Sequence, residues 1–395
     1  MRFLFLSLAF LSLEFQLVAQ NWQQISDFPG TARDDGASFT IGEIHYLGTG
    51  RSIDFSCTGD FYAYNANLEI WYPIAGLPQW QERQYASAFS FGECGYLVGG
   101  ENCNGFYFNS FWKYAPLSNE WLQMPALPAD GRAGCQSFMI GTDLFLIGGR
   151  NASGILDEVW CFHFDTQTWE QKNNLPFEGC WRGMSFVAGN TGYLAGGRTN
   201  ANNQTGWNTQ TWAYEPNTDN WTASGILDFG SKMYISTAMS DSLLFVFGGI
   251  DPTDQVSSEL LKVNLNTLQI DQLSPLSASA RKGCMGFASN GYFFLSTGIS
   301  GNDRLKETWR LGFLPNAIAP ETDSFLVFQV IESAQIIIRI EPHLIGELIK
   351  ICDLQGKVLY THKIQQIEEE LNLAFLPTGT YFLELKGYRK KYLRH

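Results

Sequence analysis

The chain has 395 residues, of which 45% are hydrophobic, 15% aromatic and 16% charged. Such a composition forms a large packed core and excludes an intrinsically disordered chain. Its 39 acidic against 26 basic residues leave a net charge of −13, which argues against generic nucleic-acid binding.

The N-terminus reads MRFLFLSLAFLSLEFQLVAQ. Arg2, the apolar run from Phe3 to Leu13 and the small residue Ala19 before Gln20 predict a signal peptide over residues 1–20. The run is too short to cross a bilayer comfortably, and no other segment is apolar for long enough. The expected mature protein is exported, through the periplasm, to the surface or the medium, where disulfides are permitted. Of the eight cysteines, Cys94 and Cys103 flank one Gly-Gly turn and form the expected local bridge. Those inside strand-like runs, such as Cys135 and Cys284, read as small buried hydrophobes. No CxxC pair occurs, so neither a zinc site nor a redox centre is expected, and no cofactor is implied.

From about residue 30 to 315 one unit recurs. Two short apolar runs end in a glycine turn, a polar loop follows, then an aromatic run, then a Trp and another turn. The second glycine of the turn falls at Gly50, Gly100, Gly149, Gly197, Gly249 and Gly298, a spacing of 48 to 52 residues. Short strands between turn signals at this period point to a propeller of four-stranded blades. The third strand carries Tyr62, Trp112, Trp160, Trp212, Leu261 or Trp309; the fourth is marked by Trp71, Trp121, Trp169, Trp221 and Ile270. The last unit lacks a fourth strand. Asn21 to Pro29 resembles Glu120 to Pro128, so the N-terminal strand is expected to complete it and remove an open edge. Six blades over residues 21–315 result.

The Gly-Gly turn, the aromatic pairs Trp112/Tyr114 and Trp212/Tyr214 and the closing Trp resemble kelch repeats. That resemblance implies a propeller and leaves function open, because kelch propellers act as binding scaffolds, sugar mutarotases and oxidases. The five histidines do not furnish the two-His, two-Tyr copper site that a kelch oxidase would imply. His45 and His163 lie in strand runs and read as core residues.

Residues 316–323 read as a linker, and residues 324–395 as a small β-sandwich of apolar strands without the Trp markers. Asp353 to Lys357 (with Gly356), Leu376 to Phe382 (with Gly379 and Tyr381) and the basic tail Arg389-Lys390-Lys391 resemble the C-terminal sorting domain of the type IX secretion system. The resemblance implies type IX secretion machinery as partner, a Bacteroidetes-type bacterium as source and removal of this domain on export. The usual N-P-rich opening strand is absent.

Seventeen residues before each second glycine stand Arg33, Arg83, Arg132, Cys180, Lys232 and Arg281, with Arg182 two residues beyond the exception. The residue after each turn is Arg51, Glu101, Arg150, Arg198, Ile250 or Ile299. Both sets are expected at one mouth of the central channel. Planar guanidinium forks suit carboxylate, phosphate or sulfate, so the mouth is a candidate site for an extracellular acidic glycan or anionic peptide. The same column also suits a structural role between loops. Trp80, Phe106, Tyr107, Trp181 and Trp207 are candidate aromatic platforms. No hydrolase, zinc-protease or nucleotide motif appears. Glu101 and Glu178 are the candidate acid/base carboxylates if the protein is instead a mutarotase of the sialic-acid kind.

Overall fold

The computed structural model describes residues 21–200, 206–225, 227–313, 325–330, 335–340, 344–353, 357–385 and 388–394. The expected signal peptide, the expected linker and Gly356 lie outside the described residues.

Six four-stranded antiparallel sheets follow one another along residues 21–313. In blade 1 the strands are Ala37–Ile41, Ile44–Gly48, Phe61–Asn65 and Ile70–Ile74, paired in that order. Blade 6 has Met285–Ser289, Tyr292–Ser296 and Thr308–Gly312, and its fourth strand is Gln23–Ile25 from the N-terminus. Gln23 pairs Arg310 and Ile25 pairs Thr308, so the two ends of the propeller share one sheet. The first strands of blades 1 to 6 begin at Ala37, Ser87, Gln136, Met184, Met233 and Met285. Each touches the first strands of both neighbouring blades, which closes the circle around a channel.

In four blades an aromatic pair joins the first two strands. Phe39 stacks on Tyr46 at 5.0 Å, Phe89 on Tyr96 at 5.3 Å, Phe186 on Tyr193 at 5.0 Å and Phe287 on Phe294 at 4.7 Å. Such pairs contribute about 0.5–1.5 kcal/mol each beyond their burial. Blade 5 has Ala238 at this place, and its Phe245 stacks instead on Phe293 of blade 6, at 5.4 Å. Three of the fourth-strand tryptophans serve a second purpose. The indole N–H of Trp71 donates to Ser26 O, that of Trp121 to Ala75 O and that of Trp169 to Pro125 O, each tying its blade to the preceding turn.

His45 is fully buried, stacked on Phe287 at 4.3 Å, and burial pushes its imidazole down to about 3. His163, expected in the core, lies instead at the end of the strand Val159–His163, half-exposed between two carboxylates.

The C-terminal unit has a three-stranded sheet, ordered Phe325–Val330, Gln335–Ile340, Glu368–Asn372. Its four-stranded sheet is ordered Val358–Lys363, Leu348–Cys352, Gly379–Leu385, Tyr388–Arg394. Ile336, Ile338, Ile349, Ile351, Leu371 and Leu383 from the two sheets form one core. Asp353 Oδ1 accepts the Lys357 backbone N–H at 2.9 Å, and Tyr381 donates to Pro377 O at 2.7 Å. The sequence-marked turn and strand entry are thus each held by a local hydrogen bond.

Candidate functional site at the channel mouth

The second turn glycines adopt φ between 84° and 102°, a region that side chains disfavour. Except at Gly249, their backbone N–H groups donate to the column residue of the next blade. Gly50 reaches Arg83 O at 2.7 Å, Gly100 reaches Arg132 O at 2.8 Å, and Gly298 returns to Arg33 O at 2.8 Å. A Cβ at Gly50 would lie 2.5 Å from Asp34 O, so the glycine is needed for close approach as well as for its φ.

The column side chains turn into the blades. Arg33, Arg83, Arg132 and Arg281 are all at most 1% exposed. Arg33 pairs with Asp60 at 2.6 Å, Arg132 with Glu158 at 2.6 Å, Arg281 with Glu307 at 2.8 Å, and Lys232 with Glu259 at 2.7 Å. Among the described residues Arg83 has no carboxylate partner; it donates to Gly99 O at 2.7 Å and to Ser110 Oγ at 3.0 Å, and burial pulls its guanidinium below the ordinary arginine range. Glu158 and Glu307 each also accept an indole N–H, from Trp160 and Trp309, both at 2.9 Å. Burial raises these two carboxyls, but the Trp and Arg hydrogen bonds outweigh it and leave them below the usual range. These anchoring acids were missed in the sequence. They stand 26 or 27 residues after Arg33, Arg132, Lys232 and Arg281, and Ser110 holds that place after Arg83, so the count that found the column also locates them. At Cys180 the pattern is replaced by Cys180 and Asn208, both on Gly196 O.

Two residues beyond the column lies a closed ring. Asp35, Tyr85, Gly134, Arg182, Tyr234 and Gly283 all have φ between 58° and 67°. Each donates its backbone N–H to the carbonyl of its neighbour in the preceding blade, from Asp35 to Gly283 at 2.8 Å round to Gly283 to Tyr234 at 3.4 Å. A Cβ at Gly134 would lie 2.5 Å from Trp181 Nε1, and one at Gly283 would lie 2.6 Å from Asp35 Oδ1, so the two ring glycines make room for those side chains.

Across the ring, Arg182 of blade 4 pairs with Asp35 of blade 1. Its guanidinium lies 4.0 Å from the Tyr85 ring centroid and 3.5 Å from that of Tyr234. Burial opposes its charge, but the Asp35 carboxylate outweighs that and holds it above the ordinary arginine range. Arg182 Nη1 has no hydrogen-bond partner among the described residues. Next to Asp35, Asp34 is pushed up to about 6 by burial and by its neighbour's like charge, against the pull of Arg304 at 2.6 Å. The ring caps a channel cavity of about 440 Å³ whose walls include Ser38, Ser87, Ser137, Ser185 and Ser236.

The loops after the turns are stapled to one another around the mouth. Arg150 lies 4.1 Å from the Trp181 ring centroid and 3.4 Å from Glu101. Glu101 is buried and also accepts from Gln84 Nε2 at 3.1 Å. Arg198 lies 4.6 Å from the Trp207 centroid and 3.3 Å from Met233 Sδ. Arg51 stacks on Phe55 at 5.0 Å. Arg150 Nε and Trp181 Nε1 are buried without partners among the described residues. Trp80 and Phe106 are exposed, Tyr107 and Trp207 partly so, whereas Trp181 lies beneath Arg150. Glu178 is exposed and its side chain makes none of the contacts that hold Glu101.

The expected bridge between Cys94 and Cys103 does not form. Cys103 pairs with Cys57, their Cα atoms 5.4 Å apart, and Cys94 is a free thiol. Cys94 opens the second strand of blade 2, at the far end from the mouth, whereas Cys57 and Cys103 sit in adjacent loops at the mouth. Linear proximity misled because neighbouring blades bring residues 46 apart side by side.

Residues 45–270 match the attractin/LZTR1 β-propeller family, and residues 332–395 match a secretion-system C-terminal sorting domain. Mouse Kelch-like protein 35 is 24% identical over 271 residues, covering 68% of this chain and 44% of that protein. The Aspergillus terreus Kelch-like protein terF is 22% identical over 222 residues, 53% of this chain and 48% of that one, so the chain spans less than half of either relative. An N-acetylneuraminate epimerase of Haemophilus influenzae is 24% identical over 315 residues, 73% of this chain and 74% of its own. The solved structure of YjhT superposes with a TM-score of 0.59 at 16% identity, covering 72% of this chain and 95% of that one, a likeness of fold. No helix among the described residues is long and apolar enough to cross a membrane. The sorting domain supports export, to the cell surface or the medium. With six blades closed by a kelch-type glycine turn, the chain belongs to the attractin/LZTR1 β-propeller family and carries a C-terminal sorting domain.

Proposed function

We propose that this is an extracellular binding module whose channel mouth takes an anionic ligand, an acidic glycan above all. The observation that carries this reading is the pair of cation–aromatic stacks on the loop face, Arg150 on Trp181 and Arg198 on Trp207. The Arg150 and Arg198 side chains are partly exposed, whereas Trp181 lies beneath Arg150. A carboxylate or sulfate pairs with those exposed guanidinium groups, and a sugar ring packs against the half-exposed Trp207. The buried arginines Arg33, Arg83, Arg132 and Arg281 have their donors largely committed to the blades, so they hold the mouth in shape. Arg51, Arg150 and Arg198 are then the ligand's cations, while Arg182 stays paired to Asp35 across the ring.

Purified full-length chain should bind sialylated, uronic-acid or sulfated glycans on an array and release them as salt rises. Arg150→Ala and Arg198→Ala should each weaken that binding about tenfold or more, the effect of losing one charge-assisted hydrogen bond. Binding unchanged in both variants would place the ligand elsewhere.

A second reading has one specific support. Glu101, buried beside Gln84 and Arg150, is a carboxylate next to a cation, as a sugar mutarotase requires. Anomer exchange of N-acetylneuraminate, followed by NMR, tests it. Acceleration abolished by Glu101→Gln supports catalysis; no acceleration by the wild type removes it.

For export, we propose the type IX route, with residues 324–395 read by that machinery and removed. Deleting 324–395 should leave the propeller in the periplasm. Normal secretion of the truncated chain would refute the route.

A further inference from the structure

Blade 3 carries three metal-ligating side chains at a place unrelated to the channel mouth. Its strands Asp143–Ile147 and Val159–His163 pair so that Asp143 faces His163 and Phe145 faces Cys161. Residues two apart share a strand face, which puts Asp143, Cys161 and His163 together. Cys161 in turn faces Glu170 on the strand Thr168–Lys172.

The distances are those of a site needing little adjustment. His163 Nδ1 lies 2.8 Å from Asp143 Oδ1 and 3.9 Å from Cys161 Sγ. All three ligand atoms fall within 4.8 Å of one another. Around a tetrahedral zinc with bonds of about 2.0–2.3 Å, ligand atoms stand roughly 3.3–3.8 Å apart. Asp143 and His163 are about one-third exposed, so their side chains have room to move by that difference.

The other imidazole nitrogen is also committed. His163 Nε2 lies 3.0 Å from Glu170 Oε2, a carboxylate that Lys172 Nζ contacts at 2.7 Å. A carboxylate on the far nitrogen of a ligating histidine fixes the tautomer that leaves Nδ1 free to bind metal. The propeller itself does not call for this set. The places equivalent to Asp143, Cys161 and His163 hold Ile44, Ala63 and Asn65 in blade 1, and Leu243, Lys262 and Asn264 in blade 5. Those blades fold without it.

We propose that Asp143 Oδ1, Cys161 Sγ and His163 Nδ1 form a zinc-binding site, oriented by Glu170 and open to water at its fourth position. The mixed sulfur, nitrogen and oxygen donors suit zinc, while the thiolate disfavours magnesium and calcium. Lys172, already bound to Glu170, is the charge that zinc has to tolerate nearby. This inference is independent of any ligand at the mouth.

The test is titration of the chelator-treated full-length chain with Co²⁺ and then Zn²⁺. The proposal expects a thiolate-to-cobalt charge-transfer band with intense visible bands of a four-coordinate site, bleached by stoichiometric zinc. His163→Gln and Asp143→Asn, both at partly exposed positions, should abolish those bands while the far-ultraviolet circular dichroism stays unchanged. Glu170→Gln should weaken zinc about 10- to 100-fold, a loss that a mere ion pair would not cause. No thiolate band in the wild type, or the same band in His163→Gln, would overturn the site.

Discussion

Replacing Arg182 by methionine should destabilise the propeller by about 3–5 kcal/mol, read as a fall in the denaturation midpoint at unchanged slope. The physical cause is the carboxylate left behind. Asp35 and Arg182 are 7% and 8% exposed, and the pair spans the channel from blade 1 to blade 4. Without the guanidinium, Asp35 keeps its backbone place in the ring but has lost its counter-charge, and Tyr85 and Tyr234 have lost the cation between their rings. The double variant Asp35→Asn with Arg182→Met should recover much of the loss, because it removes the buried charge as well as its partner. A single variant costing under about 1 kcal/mol would show that the pair behaves as a solvent-screened surface bridge.

The second large effect is at the seam. Trp22→Ala should cost about 3–5 kcal/mol, the usual range for deleting a buried aromatic side chain. Trp22 packs edge-on to Phe247 at 6.2 Å and Phe293 at 6.0 Å, and its indole N–H donates to Ser274 O at 2.9 Å. One side chain therefore bonds the N-terminal strand to blades 5 and 6 together. Removing residues 21–25 entirely should do more, leaving Thr308–Gly312 as an open strand edge. Size-exclusion chromatography should then show oligomers or aggregate in place of monomer. A truncated chain that stays monomeric with an unchanged Tm would mean that the ring does not depend on this strand.

Much of this architecture is legible in the chain because a propeller is a periodic object. The glycine turn needs φ near 90° and a bare Cα at each blade, so Gly50, Gly100, Gly149, Gly197, Gly249 and Gly298 recur and announce the unit. The fourth-strand Trp recurs for a similar reason, since the indoles of Trp71, Trp121 and Trp169 reach the backbone before them, although Trp221 Nε1 has no partner among the described residues. The basic column was legible as a pattern but not in its direction. Whether Arg132 points to the channel or into the blade depends on Glu158, 26 residues away, and the two sit together only when the third strand folds back.

The reverse holds for features that occur once. The bridge between Cys57 and Cys103, the ion pair between Asp35 and Arg182 and the trio Asp143, Cys161 and His163 follow no repeat. Asp35 and Arg182 are 147 residues apart, and only closure of the circle sets blade 1 opposite blade 4. Fold class, blade count and the sorting-domain likeness can be read along the chain, because each rests on local spacing that strand and turn geometry impose. Which cations are buried and which face the mouth is set by the folded chain. So is the meeting of Cys57 with Cys103, because both depend on contacts between blades that no local spacing records.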